Sequence, residues 1–167
     1  MATGTVTTFE ASLDRLEVDW THTTDDGLGD VLREVATEPA VGTPLPFEAT
    51  LPEWVNTDPT PHELEMATTG VTAARLGVAD YGSVVLPSTP DGAEPVSLFP
   101  DLHVAVLRTS DVVPGMGEAF DFLGEAFRDG DHSSAVLATG PSATADMGAL
   151  VRGAHGPKDV HVVMLDE

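Results

Sequence analysis

A chain of 167 residues, 41% of them hydrophobic, is long enough to bury a core, and we predict one domain over residues 1–167. Its 28 acidic side chains against 7 Lys and Arg give a formal net charge of −21, and the lack of a basic patch excludes nucleic-acid binding. The absence of cysteine excludes disulfides, a thiol nucleophile and a cysteine-ligated iron–sulfur cluster in this chain. Without a run of ~18 apolar residues or a leader-like N-terminus, we expect a cytoplasmic protein with no membrane span.

The acidic residues are spread along the whole chain, and Lys158 is the only lysine. We interpret this pattern as a surface adapted to molar salt, where the Debye length is ~3 Å, and expect a halophilic archaeal source. The alternative is an acidic surface that binds a basic partner, which is more often a block of like charges.

The first half of the chain predicts alternating helices and strands. Thr7 and Glu10 have the spacing of a capping box, and Phe9, Leu13 and Leu16 form a helical stripe. The further elements predicted are a strand over 18–22, a short strand within 39–46, and a loop with one brief turn over 51–61. Between the first two strands, Asp25 and Asp26 can start a helix, and its apolar face would be Leu28, Val31, Leu32 and Val35.

The second half continues the alternation. We predict strands over 83–86 and 102–107, and the spacing of Met116, Phe120, Leu123 and Phe127 predicts a helix over 115–128. A strand over 135–139, a helix from Ser142 to Arg152 and a strand over 160–165 would form a right-handed βαβ unit. The whole pattern predicts an α/β fold with a mostly parallel sheet flanked by helices.

Two polar corners flank the helix predicted after Ser142. They are GPSATAD, over 140–146, and HGP, over 155–157, and ligands of α/β sheets usually bind in such corners at the carboxyl ends of strands. The first corner can hold an anion at a helix N-terminus. Alternatively, Ser142 and Asp146 only cap that helix.

A second group of polar residues surrounds glycines that allow close backbone approach. It comprises Thr72, Asp80, Gly82 and Ser83, and the alternative is a set of tight turns between packed strands. His103 and His155 can do acid–base chemistry, since free imidazole titrates near ~6.5. Each also has a structural explanation, as a satisfied strand histidine and as a helix cap. We predict no metal site, because the histidines show no HxxxH or HxH spacing.

Several segments together resemble the LUD-domain family, from about Glu63 to the C-terminus. They are GVTAARLGVADYGSVVL (70–86), SLFPDLHVAVL (97–107), VVP (112–114), GPSATAD, HGP and the apolar closing strand. The resemblance implies a NagB/RpiA/CoA-transferase-like fold. It draws attention to His103, His155 and Asp80 as catalytic candidates. The ligand-binding candidates are Thr72, Asp80, Gly82, Ser83, Gly140, Ser142, Thr144, Asp146 and Gly156.

Two positions depart from the family pattern. Arg75 stands where an acidic residue is usual, and Tyr81 stands where threonine is usual. Any chemistry that needs that acid is therefore in doubt, whereas Arg75 can pair with Asp80 or bind a carboxylate substrate.

The resemblance also implies a function. It indicates an accessory subunit of an iron–sulfur-dependent system that oxidises lactate to pyruvate, with iron–sulfur proteins as partners and no cofactor in this chain. The alternative is a stand-alone protein or enzyme of the same fold class that binds a small acid or a sugar phosphate.

Overall fold

A computed structural model describes residues 2–167, except for the side chains of Ala2, Thr3 and Asp146. The helices in this part are α1 (Ala2–Arg15), α2 (Leu28–Val35), α3 (Pro61–Met66), α4 (Ala93–Leu98) and α5 (Met116–Asp129), with a 3-10 turn at Thr109–Asp111. The strands are β1 (Asp19–Thr23), β2 (Ala40–Gly42), β3 (Val55–Asn56), β4 (Thr69–Ala73), β5 (Leu76–Val78), β6 (Ser83–Pro87), β7 (Leu102–Arg108), β8 (Val112–Val113), β9 (Ala135–Thr139), β10 (Ala143–Asp146), β11 (Ala149–Arg152) and β12 (Asp159–Leu165).

The main sheet has six strands in the order β1-β12-β7-β4-β2-β3, and every neighbouring pair is parallel. Its central strands are near-continuous apolar runs, as in Val104–Leu107 and Val162–Leu165, because both faces of a parallel sheet are covered. The predicted α/β class with a mostly parallel sheet is therefore confirmed.

A second sheet of four strands, in the order β8-β5-β6-β9, packs on one face of the main sheet together with α1. Phe9 and Leu13 of α1 lie in the core between the two sheets, and both are almost fully buried. Helix α2 covers the opposite face of the main sheet through Leu28 and Leu32. Helix α5 covers the outer face of the small sheet, so the layers are α2, main sheet, small sheet with α1, and α5.

The helix predicted from Ser142 to Arg152 is wrong. Strands β10 and β11 form an antiparallel hairpin there, with Asp146 opposite Ala149. Its turn consists of Met147 and Gly148, which both have positive φ (48° and 80°), the combination that a tight type I′ hairpin turn requires. The βαβ unit is also wrong, since β9 pairs antiparallel with β6 in the small sheet while β12 lies in the main sheet.

Two further helix details differ from the predictions. Helix α1 begins at Ala2, so Thr7 and Glu10 lie inside it and do not cap its start. Helix α5 buries Ala119, Leu123 and Ala126, while the predicted core residues Phe120 and Phe127 are 61% and 43% exposed. None of the described helices is long and apolar enough to cross a bilayer.

Candidate functional site

A cavity of about 280 Å³ lies between the two sheets, where β7 and β12 begin. His103 and Val160, each the second residue of its strand, form part of its floor, and Ser97 of α4, Leu86 of β6 and Ala138 of β9 close its sides. The expected location was the carboxyl ends of the parallel strands. The cavity lies instead at their amino ends, where it is bordered by α4 and by strands β6 and β9 of the small sheet.

The two polar corners predicted from the sequence meet at this cavity. Ser142 N–H donates to the Pro157 carbonyl oxygen at 2.9 Å, and Gly153 N–H donates to the Ser142 carbonyl oxygen at 2.8 Å. A Cβ at Gly156 would come within 2.9 Å of Ser142 Cβ, so only glycine allows this close approach. The corners therefore form one wall, held by backbone hydrogen bonds and not by the predicted helix N-terminus.

His103 is the most enclosed polar group of the floor, with 1% of its surface exposed. Its Nε2 lies 2.8 Å from Oγ1 of Thr72, which is fully buried on the neighbouring strand β4. Burial lowers the pKa of His103 to about 4, so the ring is neutral at neutral pH. The structure thus favours a hydrogen-bonding role for this histidine over a charged one.

Two hydroxyl groups of the lining are already engaged with the protein. Ser97 Oγ donates to the Glu94 carbonyl oxygen at 2.6 Å. Thr139 Oγ1 and Ser83 Oγ lie 2.6 Å apart and share a hydrogen bond. Thr72 and Ser83 therefore support lining residues from behind and do not line the cavity themselves.

The mouth of the cavity is marked by its exposed lining residues, Thr139, Ala143 and His155. His155 lies in the corner after β11, so no helix precedes it and its predicted capping role is wrong. Gly140 begins the other corner with φ +71° and packs near Leu16, which directly follows α1. Both corners can thus contribute groups to a ligand that enters from solvent.

Other sequence candidates lie elsewhere. Asp80 is exposed in the turn after β5 and borders a separate depression with Gly4, Thr8 and Pro114. Gly82 packs against the backbone of α1, and Thr144 lies on β10 outside the cavity lining. The side chain of Asp146 lies outside the described part. The structure therefore groups His103, His155, Gly140, Ser142 and Gly156, with Thr72 and Ser83 behind them.

Arg75 and Asp80 do not form an ion pair within the described part of the chain. Arg75 is exposed and lines a second depression of about 280 Å³ with Asp91 and His132. Any role of Arg75 is thus separate from the cavity that contains His103.

One polar cluster was missed by the sequence interpretation. His22, at the carboxyl-end side of β1, lies 2.8 Å from Glu10 of α1 and 2.9 Å from Asp166. Partial burial alone would lower the pKa of His22, but the hydrogen bonds to Asp166 and Glu10 outweigh it and raise the pKa. Its partners are 12 and 144 residues away in the sequence, so no local spacing could reveal the cluster. Among the described residues, no three His, Asp or Glu side chains are placed to hold a metal ion.

Comparison with known proteins gives a family and a fold. The LUD domain profile matches residues 47–165, which extends the resemblance seen in the sequence toward the N-terminus. A crystal structure of a DUF162 family protein from Deinococcus radiodurans superposes with a TM-score of 0.72 at 20% identity, covering 99% of this chain and 98% of that one. At this identity the likeness shows the fold alone.

Relatives with curated names share part of their length with this chain. Lactate utilization protein C of Bacillus licheniformis is 38% identical over 106 residues, which are 61% of this chain and 44% of that protein. Lactate utilization protein C of Bacillus subtilis is 33% identical over 106 residues, 62% of this chain and 44% of that protein. The matched region thus spans less than half the length of these relatives.

Proposed function

The chain belongs to the LUD-domain family, and on that premise we propose that it is an accessory subunit of a lactate-oxidising system. The observation that carries the proposal is the 38% identity to a protein named Lactate utilization protein C. Oxidation of lactate to pyruvate releases two electrons and two protons, which some group must accept. In this proposal the electrons pass to iron–sulfur proteins, and the protein acts in the cytoplasm with them.

The residue content of the chain bears on which protein of the system holds the iron–sulfur clusters. Iron–sulfur clusters are mostly held by cysteine thiolates, and this chain has none among its 167 residues. It therefore cannot hold a cysteine-ligated cluster itself, and in this proposal such clusters belong to the partner proteins. Its own contribution is a preformed cavity at the meeting point of its two family corners, suited to a small molecule.

The alternative, a sugar-phosphate binding protein or enzyme, has less support. Phosphate groups are usually bound by Arg, Lys or several free backbone N–H groups. In the part of the chain that the structure describes, no Lys or Arg side chain lines the cavity. The polar lining groups are hydroxyls and imidazoles, which favour a ligand with at most one negative charge.

The test is reconstitution in molar KCl. The chain, purified alone, is expected to show no flavin or iron–sulfur absorbance and not to oxidise lactate. Mixed with cysteine-rich iron–sulfur proteins purified from the same lactate-grown cells, it is expected to form a stable complex and to raise lactate-dependent dye reduction. A stoichiometric chromophore on the isolated chain, or full activity of the partners without it, would contradict the proposal.

A further inference from the structure

The floor of the cavity contains one ring nitrogen that the protein leaves unused. Among the described residues, Thr72 is the only hydrogen-bond partner of His103. In the same part of the chain, Trp54 Nε1 is the one fully enclosed side-chain N or O atom that lacks a partner. Nδ1 of His103 must therefore keep some accessible surface, and the accessible space beside this buried ring is the cavity.

The neutral state of His103 fixes what Nδ1 can bind. In a neutral imidazole one nitrogen donates and the other accepts. If Thr72 Oγ1 donates to Nε2, Nδ1–H donates into the cavity, and if Thr72 accepts, Nδ1 accepts from a ligand. A hydroxyl group fits both tautomers and a carbonyl oxygen fits the first, whereas an alkyl group fits neither.

The charge of the lining limits the ligand further. Among the described residues, no Asp, Glu, Lys or Arg side chain lines the cavity, and Leu86, Val136 and Val160 contribute apolar walls. A full charge buried without a counter-charge costs several kcal/mol. The inner part of a ligand must therefore be uncharged, and a charged group can lie only at the mouth, beside the exposed His155 and near Ser142.

We propose that the cavity binds a short-chain monocarboxylic acid that carries a hydroxyl or oxo oxygen at C2. The C2 oxygen bonds Nδ1 of His103, the alkyl end contacts the apolar walls, and the carboxylate stays at the mouth beside His155. The volume of about 280 Å³ lies at the small end of ligand sites, which suits such a molecule. This inference deepens the proposed function, on which it rests, by naming the ligand class.

The first experiment compares the binding of several small acids to the unmodified chain in molar KCl. Binding is monitored by proton–nitrogen NMR of the histidine rings. Lactate and pyruvate are expected to bind and to shift the His103 ring signals. Propionate lacks only the C2 oxygen and should bind about tenfold more weakly, the effect of one lost hydrogen bond. Malate, with a second carboxylate, should not bind. Equal binding of propionate and lactate, or no binding of any acid, would overturn the inference.

The second experiment uses variants. His103→Phe keeps a ring without nitrogen and should weaken lactate binding about tenfold, and Thr72→Val should weaken it because the ring loses its fixed tautomer. Arg75→Gln is the matched control in the other depression and should leave binding unchanged. If Arg75→Gln weakens lactate binding and His103→Phe does not, the acid binds in the other depression and the inference is refuted.

These outcomes are distinct from those of the reconstitution. If His103→Phe does not fold, the comparison of lactate with propionate on the unmodified chain still tests whether the C2 oxygen contributes to binding. A chain that joins the iron–sulfur proteins but binds no acid refutes the ligand class and leaves the subunit role standing. A chain that binds lactate but joins no iron–sulfur protein supports the ligand class and refutes the subunit role.

Discussion

At His103, a single buried side chain links the cavity to stability. Burial lowers its pKa to about 4, against ~6.5 in the unfolded chain. Between these values the unfolded state binds more protons, so the free energy of unfolding falls as the pH drops from ~6.5 to ~4, by about 3 kcal/mol from this group. Above ~6.5 the contribution is constant. We expect His103→Gln, which cannot charge, to lose less stability on acidification.

The measurement is chemical denaturation at neutral and acid pH for both proteins. His161 acts in the same direction, since burial also lowers its pKa, so the difference between the two proteins isolates His103. The exposed His62→Gln is the control and should follow the unmodified chain. If the free energy of unfolding falls equally on acidification for His103→Gln and for the unmodified chain, the buried neutral ring is contradicted.

His22 should show the opposite sign. Its pKa is raised by Asp166 and Glu10, despite partial burial, so its stabilising effect is complete below ~6.5 and disappears as the pH rises through the folded value. We expect His22→Gln to lower the melting temperature at mildly acid pH and to change it much less at alkaline pH. A difference in melting temperature that is independent of pH would show that the ion pairs contribute little.

Among the elements, α4 is positioned by one glycine. An added Cβ at Gly70 of β4 would overlap the carbonyl oxygen of Val96, a backbone atom of α4 that cannot turn aside. Gly70→Ala should therefore displace α4, which lines the cavity, and cost about 1–3 kcal/mol. Gly117→Ala is the matched control, because nothing lies within 4 Å of its added Cβ and alanine favours helix α5 by up to about 1 kcal/mol.

Denaturant unfolding of the two variants, with lactate binding as a second readout, checks this prediction. Gly70→Ala should lose both stability and binding, while Gly117→Ala should keep binding and gain slightly in stability. Equal effects of the two substitutions would mean that α4 adjusts without strain.

The sequence predicted elements well where local pattern and tertiary packing agree. The strands over 102–107 and 160–165 are confirmed, because their apolar runs match the surfaces that they bury. The helix predicted to start at Asp25 and Asp26 is present and buries its predicted face, but it begins at Leu28. Met147, Leu150 and Val151 have helical spacing, yet all three are exposed on a hairpin, so their spacing reflects no buried face. The signal that was missed is Gly148 at a turn position that needs positive φ.

Part of the candidate site was also predictable. His103, His155 and the two polar corners were singled out, and they line one cavity. The partners Thr72 and Thr139 are set by strand pairing between segments 31 and 56 residues apart, which periodicity does not encode. The position of the cavity at the amino ends of the strands depends on how the small sheet packs, and no spacing in the chain reports that.

Across the whole molecule, the net charge of −21 is the dominant feature. The ion pairs Arg152–Glu17 and Lys158–Asp101 are solvent-exposed, and exposed pairs contribute only ~0–1 kcal/mol each. The seven basic residues therefore cannot neutralise the surface. In dilute buffer the Debye length is ~30 Å at 0.01 M, so most carboxylates repel one another, whereas at ~1 M it is ~3 Å and only neighbours interact.

We therefore expect the melting temperature to rise steeply from dilute buffer to molar KCl. The stability of a domain is typically only ~5–15 kcal/mol, so the repulsion summed over the surface can take a sizeable share of it. NaCl and KCl should act alike if screening dominates. The matched variant replaces Glu34, Glu65 and Glu125, which are exposed and form no hydrogen bond or ion pair in the described part, by glutamine. It should melt higher than the unmodified chain in dilute buffer and converge with it in molar salt. A melting temperature that does not change with salt would contradict adaptation to molar salt, and a basic partner would then be needed to explain the excess acid.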